Sequence, residues 1–513
     1  LGITCVLVPS ETKGVVLGRR HNPLGVPFYN CPTQGNDVVV SVDQIVGGAT
    51  GAGQGWRMLM ECLAAGRAIS LPAQSAGGMK FITRVVSAYG AIRKQFNVEI
   101  GKFEGIEEPM ARIVGETYAI EAMRIFTAGA VDSGIKPAVV SAIAKYNSTE
   151  ASRRCINDGM DILGGAGISR GPRNTLAHGY MASPIGVTVE GANILTRCLI
   201  IFGQGAIRCH PFAYDEVKAL QANDLAAFDK AFWGHIGFVI RNKIRATVMT
   251  LTRGYVASTP GGKFWRDYQK LAWSSASFSF LADAAMGSFG GGLKMREKIT
   301  GRYADVLSWM YIATATLRRW EAEKDIHPEH ADVVRWVLDH CHDQIQKGFD
   351  GIFANFEVPV VGTLFKYVVG TWSRFNILGR GPSDKLGHEL CKRIMKAGSF
   401  RDSLTEGIYI PVDRNDALGR YEHTLKLTQE AGRVYKQIRS AVKQKLLPKG
   451  RAWALLDEAV NQGIIAKEDA ELVRMAEAAR NDAIQVDDFA TDDLETNILG
   501  VDDGREVVAG NPA

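Results

Sequence analysis

The chain has 513 residues, 46% hydrophobic and 22% charged, with a formal net charge of only +5 at pH 7. This composition is close to the average for globular proteins and excludes disordered, collagen-like and rod-shaped coiled-coil chains. The small charge excess gives no indication of a nucleic-acid partner. The length is sufficient for about two to four domains with sizeable apolar cores.

Residues 1–50 are predicted to contain β-strands. Two apolar runs, Thr4–Val8 and Val38–Val42, are separated by turn signals that end in Gly35-Asn36-Asp37. Two strands are too few to enclose a core, so we interpret this region as the C-terminal part of a β domain. The sequence opens without an initiator methionine or a signal peptide, and we expect it to begin inside that domain.

From Trp56 onward the spacing of apolar residues predicts helices, and several long helices with short connections are typical of an antiparallel bundle. The longest periodic stretches cover about 104–132, 136–163 and 192–208. The predicted fold class is mostly α, with a partial β domain, a helical bundle and a further helical extension. The predicted domains are residues 1–50 (β), 51–210 (bundle), 211–482 (extension) and 483–513 (a loose acidic tail).

The cysteines are scattered without a CxxC pair, which indicates reduced and mostly buried thiols in a cytosolic protein and gives no reason to expect a metal site. No apolar run reaches 18 residues, so we expect no membrane-spanning helix. We predict a cytoplasmic location, with a peripheral position at the inner face of the membrane as an alternative. The eight cysteines are Cys5, Cys31, Cys62, Cys155, Cys198, Cys209, Cys341 and Cys391.

Three segments within the predicted bundle stand out. Arg93-Lys94-Gln95-Phe96 follows a long helical pattern, Asp161–Gly167 ends another helix with a glycine turn, and Thr188–Asn193 places Glu190 just before a helix. Each has an ordinary interpretation: a solvated arginine at a helix end, a glycine C-cap, and an acid that favours a helix N-terminus. However, Glu190 is flanked by apolar residues, and desolvation would raise its pKa and suit it to act as a general base.

The order and spacing of these segments resemble the acyl-CoA dehydrogenase family. Arg93–Asn97 is similar to the family's Arg-x-x-Phe-Gly, Asp161–Gly165 to its Gln-x-x-Gly-Gly, and Val189–Ala192 to its Tyr-Glu-Gly-Thr. The opening, Leu1–Pro9, looks like part of the family's middle β domain. The resemblance covers residues 1–210, and the long remainder resembles the large bacterial fatty-acid-degradation members.

This resemblance implies an enzyme that uses FAD to dehydrogenate an acyl-CoA to the trans-2-enoyl-CoA, as in the first step of fatty acid β-oxidation. Glu190 would accept the α-proton while the flavin N5 accepts a hydride. The family also implies a homo-oligomer, because neighbouring subunits share the cofactor, and an electron-transfer flavoprotein as electron acceptor. An acyl-CoA oxidase and a catalytically silent helical scaffold remain as alternatives.

The resemblance also assigns the remaining site residues. Arg93 would face the FAD pyrophosphate, for which a planar guanidinium is well suited. The sequence departs from the family pattern at Asp161, Asn97 and Ala192. It also lacks counterparts of the family's N-terminal helical domain and first β-strands, which help to cover flavin and substrate, so we expect the 513-residue chain alone to bind FAD poorly and to be inactive. The implied cofactor contacts are Arg93, Phe96, Asp161, Gly164, Gly165 and Ala192; the implied substrate contacts are Arg67 and Gly191.

Two features of the extension have alternative interpretations. An apolar stripe from Leu427 to Leu446, in a segment rich in lysine and arginine, could contact a membrane surface or an acidic partner, or could pack into a core. His340-Cys341-His342 is interpreted as a histidine pair without metal, because residues so close on a helix face different directions. We also expect the extension to cover the face that smaller family members use for tetramer assembly.

Overall fold

The computed structural model describes residues 2–26, 30–135 and 138–491. It is 71% helical, which confirms the predicted mostly α fold class. The α-helices are α1 (Gly55–Ile92), α2 (Glu104–Asp132), α3 (Ala138–Leu163), α4 (Gly165–Ile168), α5 (Ala177–Thr188), α6 (Asn193–Leu195), α7 (Gly205–Cys209), α8 (Ala213–Gln221), α9 (Leu225–Leu251), α10 (Trp265–Phe289), α11 (Glu297–Glu323), α12 (Ala331–Asn355), α13 (Val361–Leu364), α14 (Gly370–Phe375), α15 (Asp384–Ile394), α16 (Ser399–Leu404), α17 (Ala417–Lys443), α18 (Leu456–Asn461) and α19 (Lys467–Ala483).

The helices predicted from apolar spacing are confirmed. The stretch predicted at 104–132 is α2, and the described part of 136–163 is α3. The stretch at 192–208 is interrupted: α6 leads into a π-helical segment, Thr196–Gly203, before α7. Of the tail predicted to be loose, residues 492–513 lie outside the described residues.

The strands lie elsewhere than predicted. Antiparallel β1 (Val15–Leu17) pairs with β2 (Thr33–Gly35), and the short β3 (Lys94–Gln95) pairs with β4 (Val98–Glu99). The prediction of strands at 4–8 and 38–42 is wrong: the first run makes only one bridge, from Val6 to Ile45, and Val39 in the second is 85% exposed. Apolar character alone does not supply the partner strand that a ladder requires.

The chain divides into two compact units made of non-contiguous segments. The first unit comprises residues 1–76, 118–151 and 183–382, and the second comprises 77–117, 152–182 and 383–513. Helices α1, α2, α3 and α5 each contribute residues to both units. The domain boundaries predicted at residues 50 and 210 stay predictions.

In the first unit, α11 and α12 form the centre of the core. Val306 and Ile312 of α11 and Val333 and Ile345 of α12 are fully buried. The π-helical segment joins this core through Phe202, whose ring stacks on Tyr303 of α11 with centroids 4.4 Å apart. The segment that follows Glu190 is thereby fixed against the extension.

In the second unit, the apolar stripe of α17 is buried. Ala431, Val434 and Ile438 have no exposed surface and pack in one cluster with Val473 and Ala476 of α19. The interpretation that this stripe packs into a core is therefore confirmed for its residues within α17, whereas Leu446, beyond the helix, is 55% exposed. The membrane or acidic-partner alternative fails for the residues within α17, because the apolar face that it needs is already covered.

The second unit also contains a buried charge cluster. The Glu422 carboxylate accepts hydrogen bonds from Arg84 Nη1 at 3.1 Å and from Arg401 Nη1 and Nη2 at 2.8 and 2.6 Å. Burial lowers the pKa of Arg401, and the charge of Glu422 opposes that shift. Two buried arginines thus share the Glu422 carboxylate, and Arg84 also pairs with the exposed Asp402 at 2.6 Å.

All eight cysteines are free thiols, as expected. Four of them are buried and two, Cys62 and Cys209, are exposed, so the prediction of mostly buried thiols holds for only half of them. Among the described residues, no single helix has both the length and the apolar character to cross a membrane. One bent pair, α5 together with residues 193–203, meets those two criteria jointly.

Candidate active site

Glu190 lies in a tight loop between α5 and α6, which we call the Glu190 loop (residues 189–192). Glu190 and Gly191 have φ values of +54° and +96°, so both adopt left-handed conformations that often end a helix. For a residue with a side chain this conformation costs about 1 kcal/mol or more. A β-carbon on Gly191 would also lie 3.1 Å from Arg67 Nη2, which explains the glycine.

Arg67 of α1 holds this loop from one side. It is only 2% exposed, and its Nε donates a hydrogen bond of 2.6 Å to the backbone oxygen of Glu190. Burial lowers the pKa of Arg67, whereas the nearby charge of Glu190 acts in the opposite direction. An arginine remains protonated even so, and it therefore places a permanent positive charge beside the loop.

Lys145 of α3 holds the loop from another side. Its fully buried Nζ donates to the Gly191 oxygen at 2.8 Å, to Asn193 Oδ1 at 2.7 Å and to the Val187 oxygen at 3.4 Å. Burial lowers the pKa of Lys145 to about 8, and the charge of Glu190 opposes this shift. Three acceptors from one short segment converge on this one ammonium group.

Asn193 fixes the start of the helix after the loop. Its Nδ2 donates to Thr149 Oγ1 at 3.0 Å and to Glu150 Oε1 at 2.8 Å, both on α3. Thr196 Oγ1 donates to the Gly191 oxygen at 3.1 Å. These bonds fix the Asn193 side chain to α3 and the Gly191 oxygen to the segment that follows the loop.

The Glu190 carboxylate itself has few constraints. Its Oε2 is buried and has no hydrogen-bond partner, and its Oε1 would lie 3.0 Å from a β-carbon built on Gly66 of α1. The two cations bind the loop through backbone oxygens of Glu190 and Gly191. A carboxylate oxygen therefore stays available to accept a proton.

Arg93 and Phe96 lie on the β3–β4 hairpin of the second unit. Phe96 and Asn97 have φ values of +50° and +64°, which make a two-residue turn of the type that matches strand twist. Phe96 is 89% exposed at its tip. Among the described residues, no side-chain hydrogen bond or ion pair involves the Arg93 guanidinium. The hairpin thus carries an aromatic ring and a guanidinium group that are both available to contact a ligand.

Asp161, Gly164 and Gly165 lie where α3 ends, also in the second unit. Gly164 has φ +56° and donates its N–H to the Met160 oxygen at 2.9 Å, so it is a helix C-cap as well as a motif residue. A β-carbon on Gly164 or Gly165 would meet no atom within 4 Å. This backbone is therefore open to close approach, with the exposed acid Asp161 beside it.

The family assignment follows from comparison with known proteins. The family described as "Acyl-CoA dehydrogenase, C-terminal, bacterial type" matches residues 207–489, which is more than half of the chain. The chain belongs to the acyl-CoA dehydrogenase family. A second family description, "Acyl-CoA dehydrogenase, C-terminal domain", matches residues 53–201, which contain all the candidate site residues. The resemblance noted in the sequence is confirmed.

Curated relatives match over limited stretches. The chain is 61% identical over 79 residues to "Protein HemX" of Proteus mirabilis, covering 15% of this chain and 46% of that protein. It is 30% identical over 169 residues to a 3-(aryl)acrylate reductase of Clostridium sporogenes (32% and 43% covered). It is 25% identical over 204 residues to a mitochondrial short/branched chain specific acyl-CoA dehydrogenase of Bos taurus (39% and 46%). The chain thus spans less than half the length of each of these relatives.

A solved structure supports the fold. The crystal structure of an acyl-CoA dehydrogenase complexed with FAD from Bacillus anthracis superposes with a TM-score of 0.59 at 16% identity, covering 77% of this chain and 65% of that one. At this identity the likeness shows the fold alone. It agrees with a helical member of the acyl-CoA dehydrogenase family.

The predicted site residues fall into two groups. In the first unit, the structure brings together Arg67, Glu190 and Gly191, with Ala192 exposed beside them. In the second unit, Arg93 and Phe96 share a hairpin, whereas Asp161, Gly164 and Gly165 share a helix end. Sequence reasoning missed three residues that support Glu190: Lys145, Asn193 and Gly66.

Proposed function

We propose that this acyl-CoA dehydrogenase family member catalyses FAD-dependent dehydrogenation of acyl-CoA to trans-2-enoyl-CoA, with Glu190 as the base. One observation carries the proposal: two buried cations hold the backbone of the Glu190 loop while carboxylate oxygen Oε2 is buried without a partner. A base of this kind is needed because the α-proton of a thioester is a weak acid.

The chain's own residues account for the proton side of the reaction. Glu190 takes the α-proton, and the electron pair of that C–H bond moves into the forming α,β double bond. Arg67 and Lys145 keep the loop in its left-handed conformation, so the carboxylate stays in one orientation towards the α-carbon. We further propose that the backbone N–H of Glu190 donates to the thioester carbonyl, where enolate charge develops.

The second group of residues fits a flavin nucleotide. An unpaired guanidinium at Arg93 suits phosphate oxygens, and the exposed Phe96 ring suits contact with an aromatic ring system. The open backbone at Gly164 and Gly165 permits close approach of a nucleotide. When bound, FAD supplies the hydride acceptor that the β-carbon requires. We propose that Asp161 contacts its ADP half indirectly, since a carboxylate repels phosphate.

The broader biological role follows from the same proposal. We propose that the protein acts in fatty acid β-oxidation and that an electron-transfer flavoprotein reoxidises its flavin. We also propose that it is a cytoplasmic homo-oligomer in which neighbouring subunits share FAD. An acyl-CoA oxidase differs only in using O₂ as the oxidant. Admitting O₂ to the substrate-reduced protein separates the two: rapid recovery of the flavin absorbance indicates an oxidase, and slow recovery indicates a dehydrogenase.

The test is anaerobic titration of the full-length, FAD-loaded protein with palmitoyl-CoA, followed in the flavin absorbance band. We expect bleaching in the wild type and its loss in Glu190→Gln, with rates lower by about 10³-fold or more. Glu108→Gln, at a glutamate that is 81% exposed on α2, is the matched control and should bleach normally. Bound flavin that no acyl-CoA bleaches would refute the proposal and favour a silent scaffold.

A further inference from the structure

The extension contains a large apolar cavity within the first unit. It lies among α9, α10, α12 and residues 365–378 and has a volume of about 740 Å³. This volume is typical of pockets that bind small organic ligands, which range over roughly 300–1,000 Å³. None of its lining residues belongs to the proposed catalytic group.

Several polar groups on the cavity wall are paired within the protein. Gln346 donates to Ser373 Oγ and Asp350 Oδ1 and accepts from the Leu378 N–H at 2.9 Å. The indole of Trp273 donates to Thr250 Oγ1 at 3.1 Å. The remaining wall is formed largely by hydrocarbon and aromatic side chains, including Phe349, Phe353 and Phe365. The interior therefore favours an apolar occupant.

The mouth of the cavity is also apolar, although it faces solvent. Leu251, Tyr367 and Phe375 line the cavity and are 67%, 64% and 77% exposed. Large apolar side chains grouped at a surface usually mark a binding site. Part of this wall is a π-helical turn, Phe365–Val369, a distortion that is frequent at functional sites.

Lysines and arginines predominate around the mouth, although the carboxylate of Asp350 accepts hydrogen bonds from the wall residues Gln346 and Ser373. Residues 240–253 and 361–376, which supply much of the wall, contain six lysines and arginines and no acid. Arg253 Nε donates to the cavity residue Asn376 at 2.6 Å, and Lys366 and Arg374 are exposed between cavity residues. None of these three cations forms an ion pair within the described part of the chain. An anionic group at the mouth would be attracted by all of them.

We propose that this cavity binds the hydrocarbon chain of a long-chain anionic amphiphile, with its acidic head group near Arg253, Lys366 and Arg374. The volume, the largely apolar wall and the excess of cations at the mouth all favour that chemistry. Two kinds of ligand supply such a hydrocarbon chain: a free fatty acid and an anionic lipid in a bilayer. The site is separate from the one proposed for catalysis, and its test requires no turnover.

Binding of the fluorescent fatty acid cis-parinarate to the full-length protein provides the first test. Saturable binding should be weakened at least about tenfold in Ser277→Trp, which fills the cavity, and be retained in Ser275→Trp. Ser275 is an exposed serine of the same helix that does not line the cavity. Lys366→Glu combined with Arg374→Glu should weaken binding about three- to tenfold and reduce its salt dependence. The control is Lys294→Glu, at an exposed lysine that does not line the cavity, and it should leave binding unchanged.

Cosedimentation with phosphatidylcholine vesicles, with and without phosphatidylglycerol, separates the two sources. Binding of monomeric parinarate without cosedimentation assigns a free fatty acid. Cosedimentation that needs phosphatidylglycerol and fails in the Lys366→Glu/Arg374→Glu protein assigns a bilayer lipid. The proposal is overturned if the protein binds neither parinarate nor vesicles, or if Ser277→Trp binds parinarate like the wild type. It is equally overturned if these variants only dissociate an oligomer.

Discussion

Replacing Lys145 by methionine removes the charge that holds the Glu190 loop but keeps a side chain of similar length. Two strong hydrogen bonds, to the Gly191 oxygen and Asn193 Oδ1, and one longer bond to the Val187 oxygen are lost. Hydrogen bonds from a charged donor contribute about 1.5–3 kcal/mol each. The loss of three such bonds would therefore exceed the effect of an ordinary surface substitution.

Two effects reduce the net loss of stability. The Gly191 oxygen still accepts from Thr196 Oγ1, and Asn193 Oδ1 still lies 3.4 Å from Thr149 Oγ1. The variant also no longer buries an ammonium group, which is itself unfavourable. We therefore expect the free energy of unfolding to fall by only about 1–2 kcal/mol. The effect on kcat should be larger, about 10- to 100-fold, because the base loses its fixed orientation.

The assay measures kcat and KM of the full-length, FAD-loaded protein for palmitoyl-CoA, together with urea unfolding of the same preparations. Lys80→Met is the control, because Lys80 is also buried but donates to the Glu406 oxygen instead of the Glu190 loop. It should lose comparable stability with little change in kcat. If Lys145→Met loses stability while kcat stays within about twofold, Lys145 is only structural and the positioning argument fails.

Two further predictions concern buried charges. Burial lowers the pKa of Lys145 from 10.5 to about 8 in the folded protein, so the unfolded chain binds more protons between those pH values. The unfolding free energy of the wild type relative to Lys145→Met should therefore rise by up to about 3 kcal/mol from pH 8 to 10.5. Glu422→Gln should destabilise by about 3–5 kcal/mol in urea unfolding, because Arg84 and Arg401 lose their shared partner, whereas the exposed Asp402→Asn should cost below about 1 kcal/mol.

Much of the helical architecture could be predicted because apolar spacing reports which faces are buried. The interval 104–132 is a helix over its whole predicted length, and the stripe of α17 packs against α19. The strand predictions were wrong for a different reason. A run such as 38–42 contains valines, but strand pairing depends on a partner strand whose position is not encoded in the local sequence. The π-helical segment after α6 was also missed, since its composition is that of any apolar helix.

In the candidate site, too, some residues could be predicted from the sequence and others could not. Glu190 and Gly191 could be recognised because a short motif carries them, and their left-handed conformations explain the glycine. Lys145 was missed because a single lysine in a helix usually faces solvent. One signal was present: it is the only charged residue between positions 137 and 149. A lone cation among small and apolar residues indicates burial with a specific partner.

Gly66 offers a test that separates activity from stability. It lies inside α1, where glycine is about 1 kcal/mol less favourable than alanine. A β-carbon there would lie 3.0 Å from Glu190 Oε1 and 3.4 Å from Oε2. Glycine at position 66 is thus unfavourable for the helix, but its lack of a side chain leaves space for the Glu190 carboxylate.

Gly66→Ala should therefore raise the free energy of unfolding by up to about 1 kcal/mol and yet lower kcat, by about 3- to 30-fold. The carboxylate has to move by a few tenths of an ångström, and proton transfer is sensitive to such displacement. Gly78→Ala is the matched control on the same helix, because a β-carbon there would meet nothing within 4 Å. It should stabilise the protein to a similar extent without changing kcat. Equal activity of the two variants would show that the close approach at Gly66 does not position the base.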